Sequence, residues 1–242
     1  MRMWMIVTVE TAMPWPAQEM RVRFVDHDLL LRPPDGENAP DVCIEYDHPG
    51  SEREAYETVC RFLSCLSWRE RQTARACLRL GCTGGPTLRG GWDRCQSPLL
   101  ADYVDPNASV PSDPKARLAL ALYREALGVR HTPYEFLGYF KILNVLYPHM
   151  ADQVTWINRS LHHVTEARAK ARAAQLALLH ADVGEYLYVS GRCAVAHAFK
   201  QPLVDPDSPE DVFRLADDAL VVRALAEYLM EHELGLKQQG RA

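Results

Sequence analysis

The stretch Ser208–Gly235, SPEDVFRLADDALVVRALAEYLMEHELG, decides the architecture of the second half of the chain. Ser208 followed by Pro209 is a helix start, because the hydroxyl can accept from the first turn and proline there forfeits no hydrogen bond. Glu210 and Asp211 place negative charge at the positive end of the helix dipole. Val212, Leu215, Ala219, Val222, Ala226 and Leu229 then recur at alternating steps of three and four, which is the period of a helix with one buried face. Gly235 supplies the stop.

Working upstream, the same grammar repeats. Asp113 and Pro114 start a helix that runs through LALALYREAL to Gly128. Thr132 and Pro133 start another, Tyr134–Leu146 (YEFLGYFKILNVL), ended by Pro148. Phe136, Leu137, Phe140, Ile142, Leu143 and Leu146 make it apolar around much of its circumference, which predicts burial or an exposed remainder serving as an interface. Asp152 to about Leu179 is Ala-rich and charged and reads as a long helix, bent or broken. A short helix is expected after Ser190, capped by its hydroxyl. The whole is a helical bundle.

The first half is different. Met3–Glu10 reads as a strand, Met20–Val25 and Leu29–Arg32 as a hairpin turning at Asp26-His27-Asp28, and Asp41–Tyr46 as a further strand. Ser51 with Glu54 forms a capping box before a helix whose apolar face is Ala55, Val59, Phe62, Leu63 and Leu66. Ala74–Gly81 alternates, pointing Ala74, Ala76, Leu78 and Leu80 to one side. Gly81–Gly91 (GCTGGPTLRGG) lacks the Gly-Lys-Ser/Thr ending of a phosphate loop and reads as a flexible connection. The predicted fold class is therefore α+β: an α+β domain over 1–92, a proline-rich linker over 93–112, and an all-α domain over 113–242.

Composition narrows the function. A formal net charge of -5 excludes a surface that binds nucleic acid everywhere, so any such site must be a local basic patch. Seven cysteines, with no secretion signal in the first residues and no tight zinc-type pairs, read as reduced thiols in a cytoplasmic protein. No apolar run is long enough to span a membrane.

The chemistry concentrates in Tyr186–Phe199, YLYVSGRCAVAHAF, which sets Arg192 and His197 five residues apart. A guanidinium is a permanent forked cation suited to phosphate, and an imidazole exchanges protons near neutral pH. Together they can cleave a phosphodiester with no metal or other cofactor. On an ideal helix two residues five apart point about 140° from each other, so convergence calls for a loosened turn or a second subunit. Ser190, Cys193 and Tyr188 flank the pair, and Tyr186 and Tyr188 can stack on a base or pack in the core. Asp182 and Glu185 can orient His197 or pair with Arg192. Arg159, Arg168, Lys170 and Arg172, with His162 and His163, form the densest basic stretch, readable as an RNA groove or as a solvated helix face.

A helical bundle carrying Arg-x4-His at its penultimate helix resembles the HEPN superfamily. More closely, ALALYREAL (Ala119–Leu127), YEFLGYFKILNVL and YLYVSGRCAVAHA through DPDSPEDVFRL are similar to the MauJ-type proteins, over roughly 113–236. The superfamily resemblance implies a homodimer in which two Arg192/His197 pairs form one composite, metal-independent ribonuclease site acting on single-stranded RNA. Cys193 and Phe199 stand where catalytic relatives favour a polar residue and tyrosine. They motivate the alternative, a non-catalytic accessory protein of the same build, linked to methylamine utilisation.

Overall fold

The computed structural model describes residues 2–47, 49–91, 100–101, 110–197, 199 and 201–236. The chain forms two compact units, Met1–Ser112 and Asp113–Ala242. Most of the expected linker at 93–112 lies outside the described residues. Within it, residues 100–101 form a short strand that pairs in parallel with Trp15–Pro16.

The first unit is an antiparallel sheet. Its strands are β1 (Met3–Thr11), β2 (Trp15–Pro16), β3 (Met20–Phe24), β4 (His27–Arg32), β5 (Asp41–Tyr46), β6 (Ala74–Thr83) and β7 (Leu100–Ala101), with helix α1 (Glu52–Glu70) between β5 and β6. The main sheet has the order β3-β4-β5-β1-β6. Strand β1, inside the sheet between β5 and β6, is buried from Trp4 to Thr11 on both faces. The expected α1 face of Ala55, Val59, Phe62, Leu63 and Leu66 is buried, with Phe62 edge-on to Phe24 at 5.2 Å.

Three local expectations are corrected. Phe24 pairs with His27, so the hairpin turns at Val25-Asp26, with Val25 at φ 53. Ser51 makes no capping hydrogen bond: a 3-10 turn leads into α1 and leaves Ser51 at φ -90, ψ 2 rather than in the extended shape a cap requires. The single face foreseen for β6 is split by a bulge in the pairing with β1. Ala76 pairs with Val9 but Leu80 pairs with Ile6, two residues of opposite parity on β1, so the alanines and Leu80 lie on opposite faces and Leu78 is exposed. The Thr8 hydroxyl fills the interruption, accepting from the Leu78 amide at 2.8 Å.

The glycine-rich connection is pinned rather than loose. Buried Arg32 grips buried Asp41 through Nε and Nη2 at 2.7 and 2.8 Å, and also donates to the carbonyls of Pro86 and Leu88. Arg89 reaches back to Asp35 and to the Pro33 and Ala39 carbonyls. Two arginines thus satisfy loop carbonyls that glycine alone would leave to water.

The second unit consists of α2 (Pro114–Gly128), α3 (Thr132–Asn144), α4 (Met150–Ser160), α5 (Ala167–Leu179), α6 (Val183–Tyr186), α7 (Ala194–Ala196) and α8 (Pro209–His232). A 3-10 turn, Leu161–His163, breaks the long basic segment between α4 and α5. Asp113 caps α2, Glu166 caps α5 and Ser208 caps α8, each accepting from an amide of the first turn. Gly235 closes α8 at φ 66.

Helix α3 is the axis of this bundle, packed against α2, α8 and the segment following α6. Phe136, Tyr139, Phe140, Ile142 and Leu143 are all fully buried. Of the apolar residues expected to be buried or at an interface, Phe136, Phe140, Ile142 and Leu143 are thus buried by their own chain, while Leu137 and Leu146 stay partly exposed. Burying each aromatic ring contributes about 1.5–3 kcal/mol. A polar bridge also ties α2 to α8. Tyr123 donates to Glu227 at 2.5 Å, and Arg223 donates to the same carboxylate at 2.9 Å. Burial raises the Tyr123 pKa, so the hydroxyl keeps its proton and remains a donor.

Candidate functional site

Asp182 starts the functional segment. Its carboxylate accepts from the Glu185 amide at 2.7 Å and from Asn158 Nδ2 at 2.8 Å. These hydrogen bonds hold its pKa below the ordinary carboxylate range, with the Asn158 contact the largest cause. From this cap the chain runs through α6 into a π-helical turn, Leu187–Cys193, and returns to α geometry over Ala194–Ala196. One continuous helical path therefore replaces the short helix expected after Ser190. Ser190 lies inside the π turn and caps nothing.

Two glycines let this path lie deep in the bundle. A side chain at Gly184 would strike the backbone of Val154 on α4, and one at Gly191 would strike the Phe136 ring on α3. Tyr188 meets Phe140 edge-on at 6.0 Å, so the turn is seated by an aromatic contact as well.

Arg192 stands half-buried on the π turn. Its guanidinium lies over the Tyr188 ring at 5.5 Å, and Nη1 is 3.7 Å from the Cys193 sulfur. It forms no ion pair among the described residues. The structure thus brings Arg192, Tyr188 and Cys193 together. His197 follows the end of α7 in extended conformation, its amide donating to the Cys193 carbonyl at 3.0 Å. Its ring is 5.6 Å from that of Phe199, which is 85 % exposed. A π turn winds more residues per turn than an α turn, so the angle drawn for an ideal helix does not describe this pair.

Asp182 is occupied with capping, and neither it nor the exposed Glu185 forms an ion pair with Arg192 or His197 among the described residues. The basic set divides as well. Arg159 ends α4, while Arg168 and Lys170 are exposed on α5 beyond the break. Arg172 turns inward to Asp218, with Nε and Nη2 at 2.9 and 2.8 Å from Oδ1.

Asp218 is the residue that the sequence reading passed over. Fully buried on α8, it binds Arg172 from α5 and accepts from the Tyr186 hydroxyl at 2.8 Å. Arg214, one turn earlier, donates to the Tyr186 oxygen at 3.3 Å and to the Ser190 carbonyl at 3.1 Å. Tyr186 is stacked on His180 at 3.9 Å, and burial beside Asp218 raises its pKa. This clamp fixes the π turn from behind while Arg192 remains on its outer side without a carboxylate. The available signal was a carboxylate three residues after Leu215 and four before Val222, at a position where the stripe calls for an apolar side chain.

Among the described residues no group of three or more His, Cys, Asp or Glu side chains is placed to hold a metal ion. No helix among them is long and apolar enough to cross a membrane. The described cysteines are free thiols, and Cys95 lies outside the described residues.

The chain is thus an α+β protein whose second unit is a helical bundle presenting an arginine on a clamped π turn. Residues 119–231, from within α2 to the last turn of α8, match the family model described as "Methylamine utilization protein MauJ". No curated protein and no solved structure matches the chain.

Proposed function

We propose that the helical unit is a homodimeric, metal-independent endoribonuclease of HEPN type. The observation carrying this reading is Arg192, a half-exposed guanidinium with no ion-pair partner among the described residues, on a turn that the Asp218 clamp holds from behind. In the reaction the ribose 2′-hydroxyl attacks the adjacent phosphorus and gives up its proton to an imidazole, His197. Arg192 stabilises the charge gathering on the phosphoryl oxygens. The bond to the 5′ oxygen breaks, and that oxygen takes a proton from the second copy's imidazolium. The products are a 2′,3′-cyclic phosphate and a 5′-hydroxyl. Arg159, Arg168 and Lys170 are the exposed cations available to the RNA backbone, with Arg172 committed to Asp218. Leu178 and Phe213, 89 % and 69 % exposed, supply apolar surface for pairing two copies.

The test is incubation of the pure protein with single-stranded RNA in EDTA beside His197→Ala. The expected result is cleavage by the wild type, with cyclic-phosphate ends, and none by the variant. Equal cleavage by both, or none by either, would sink the reading.

The family match supports a second reading, a non-catalytic accessory protein associated with methylamine utilisation. The thiol of Cys193 beside Arg192 favours it. Complementation separates the two. On this second reading, a strain lacking the gene and growing poorly on methylamine is restored equally by the wild type and by the Arg192→Ala/His197→Ala double variant.

A further inference from the structure

The 3-10 turn between α4 and α5 closes onto the end of α8 through four rings in series. His162 lies 3.8 Å from His163, His163 is stacked on Tyr228 at 4.2 Å and 11°, and Tyr228 meets His232 at 4.5 Å. Trp156 on α4 backs Tyr228 at 6.4 Å. Three of the four rings take up a proton near pH 6.5 when unperturbed. This contact is independent of the Arg192 site.

We infer that this ring series is a pH-operated latch, closed while the imidazoles are neutral and opened by mild acid. Stacked neutral rings attract, whereas adjacent imidazoliums repel at these separations. The charges facing the series do little to compensate. On α4, Arg159 is engaged with the Tyr147 hydroxyl. On α8, Glu227 is committed to Tyr123 and Arg223, and Glu231 has contacts of its own. Glu233 is held by the Tyr147 hydroxyl and the Trp156 indole N–H. At the start of α5, Glu166 caps its own helix beside Arg168. The pKa of His163 is lowered, by lost hydration first and then by the charges of His162 and His232. The folded state thus prefers the neutral ring. The stabilisation is fully present above the ordinary imidazole pKa and is lost as pH falls through it towards the depressed value.

Hydrogen exchange of the amides in 160–164 and 228–236, corrected for intrinsic rates, reads the latch directly. Between pH 7.5 and 5.0 protection in the wild type should fall, because the His163 pKa is lowered in the closed form. In the His162→Phe/His163→Phe double variant, which keeps the rings and removes their charge, protection should stay level. His232→Asn, a single change at the other end of the series, removes one of the charges that lower the His163 pKa and should make the loss smaller. Level protection in the wild type, or an undiminished loss in His232→Asn, would overturn the inference. A double variant that loses protection as the wild type does would also overturn it.

Discussion

The Asp218 carboxylate accepts from the Tyr186 hydroxyl at 2.8 Å, joining a fully buried charge on α8 to the helical path that carries Arg192. With Arg172 on its other oxygen, Asp218 is satisfied on both sides. Asp218→Ala should lower stability by about 3–5 kcal/mol, because it leaves Arg172 buried without its counter-charge. Urea unfolding measures this, and a loss under about 1 kcal/mol would show that the clamp is not structural.

Arg192 and Arg172 should behave in opposite ways. Arg172→Ala breaks a largely buried ion pair and should lower the melting temperature clearly. Arg192→Ala removes a cation–π contact of about 0.5–1 kcal/mol and should melt near the wild type. Equal losses in the two melting curves would contradict the contrast.

Gly191→Ala should destabilise by about 1–3 kcal/mol, since the added methyl meets the Phe136 ring. Making room should reverse part of that loss. Phe136→Leu costs stability by itself, but Gly191→Ala should be less harmful in that background. A double-mutant cycle that adds without coupling would rule out the contact as the cause.

The Asp182 cap carries a pH signature. Its folded pKa is depressed, so its stabilisation is present above the ordinary carboxylate pKa of about 3.9 and fades as pH falls through the folded value. Asp182→Ala should therefore cost about 0.5–2 kcal/mol at neutral pH and progressively less in acid. Stability curves against pH that stay parallel for the two proteins would refute this.

What could be read from the sequence was whatever depends on period and on local hydrogen bonding. The α1 face from Ala55 to Leu66, the Asp113 and Ser208 caps and the α8 stripe each follow from residues within one element. What escaped depends on a partner element. No feature of ARACLRLG shows that Thr8, on another strand, shifts the register and splits its face. Nothing within YEFLGYFKILNVL shows that α2, α8 and the π turn together enclose it. The candidate site divides in the same way. Arg192 and His197 stood out by residue type, whereas Arg214 and Asp218 acquire meaning only when α5, α6 and α8 meet.

Because the aromatic rings Phe136, Tyr139 and Phe140 of α3 are buried by their own chain, folding does not call for a second copy. One copy completes its hydrophobic centre without help. Any union of two copies then draws on rim side chains such as Leu178 and Phe213, and its strength can be adjusted without endangering the fold. Dilution should dissolve pairs into intact single chains, with a melting temperature that depends little on concentration.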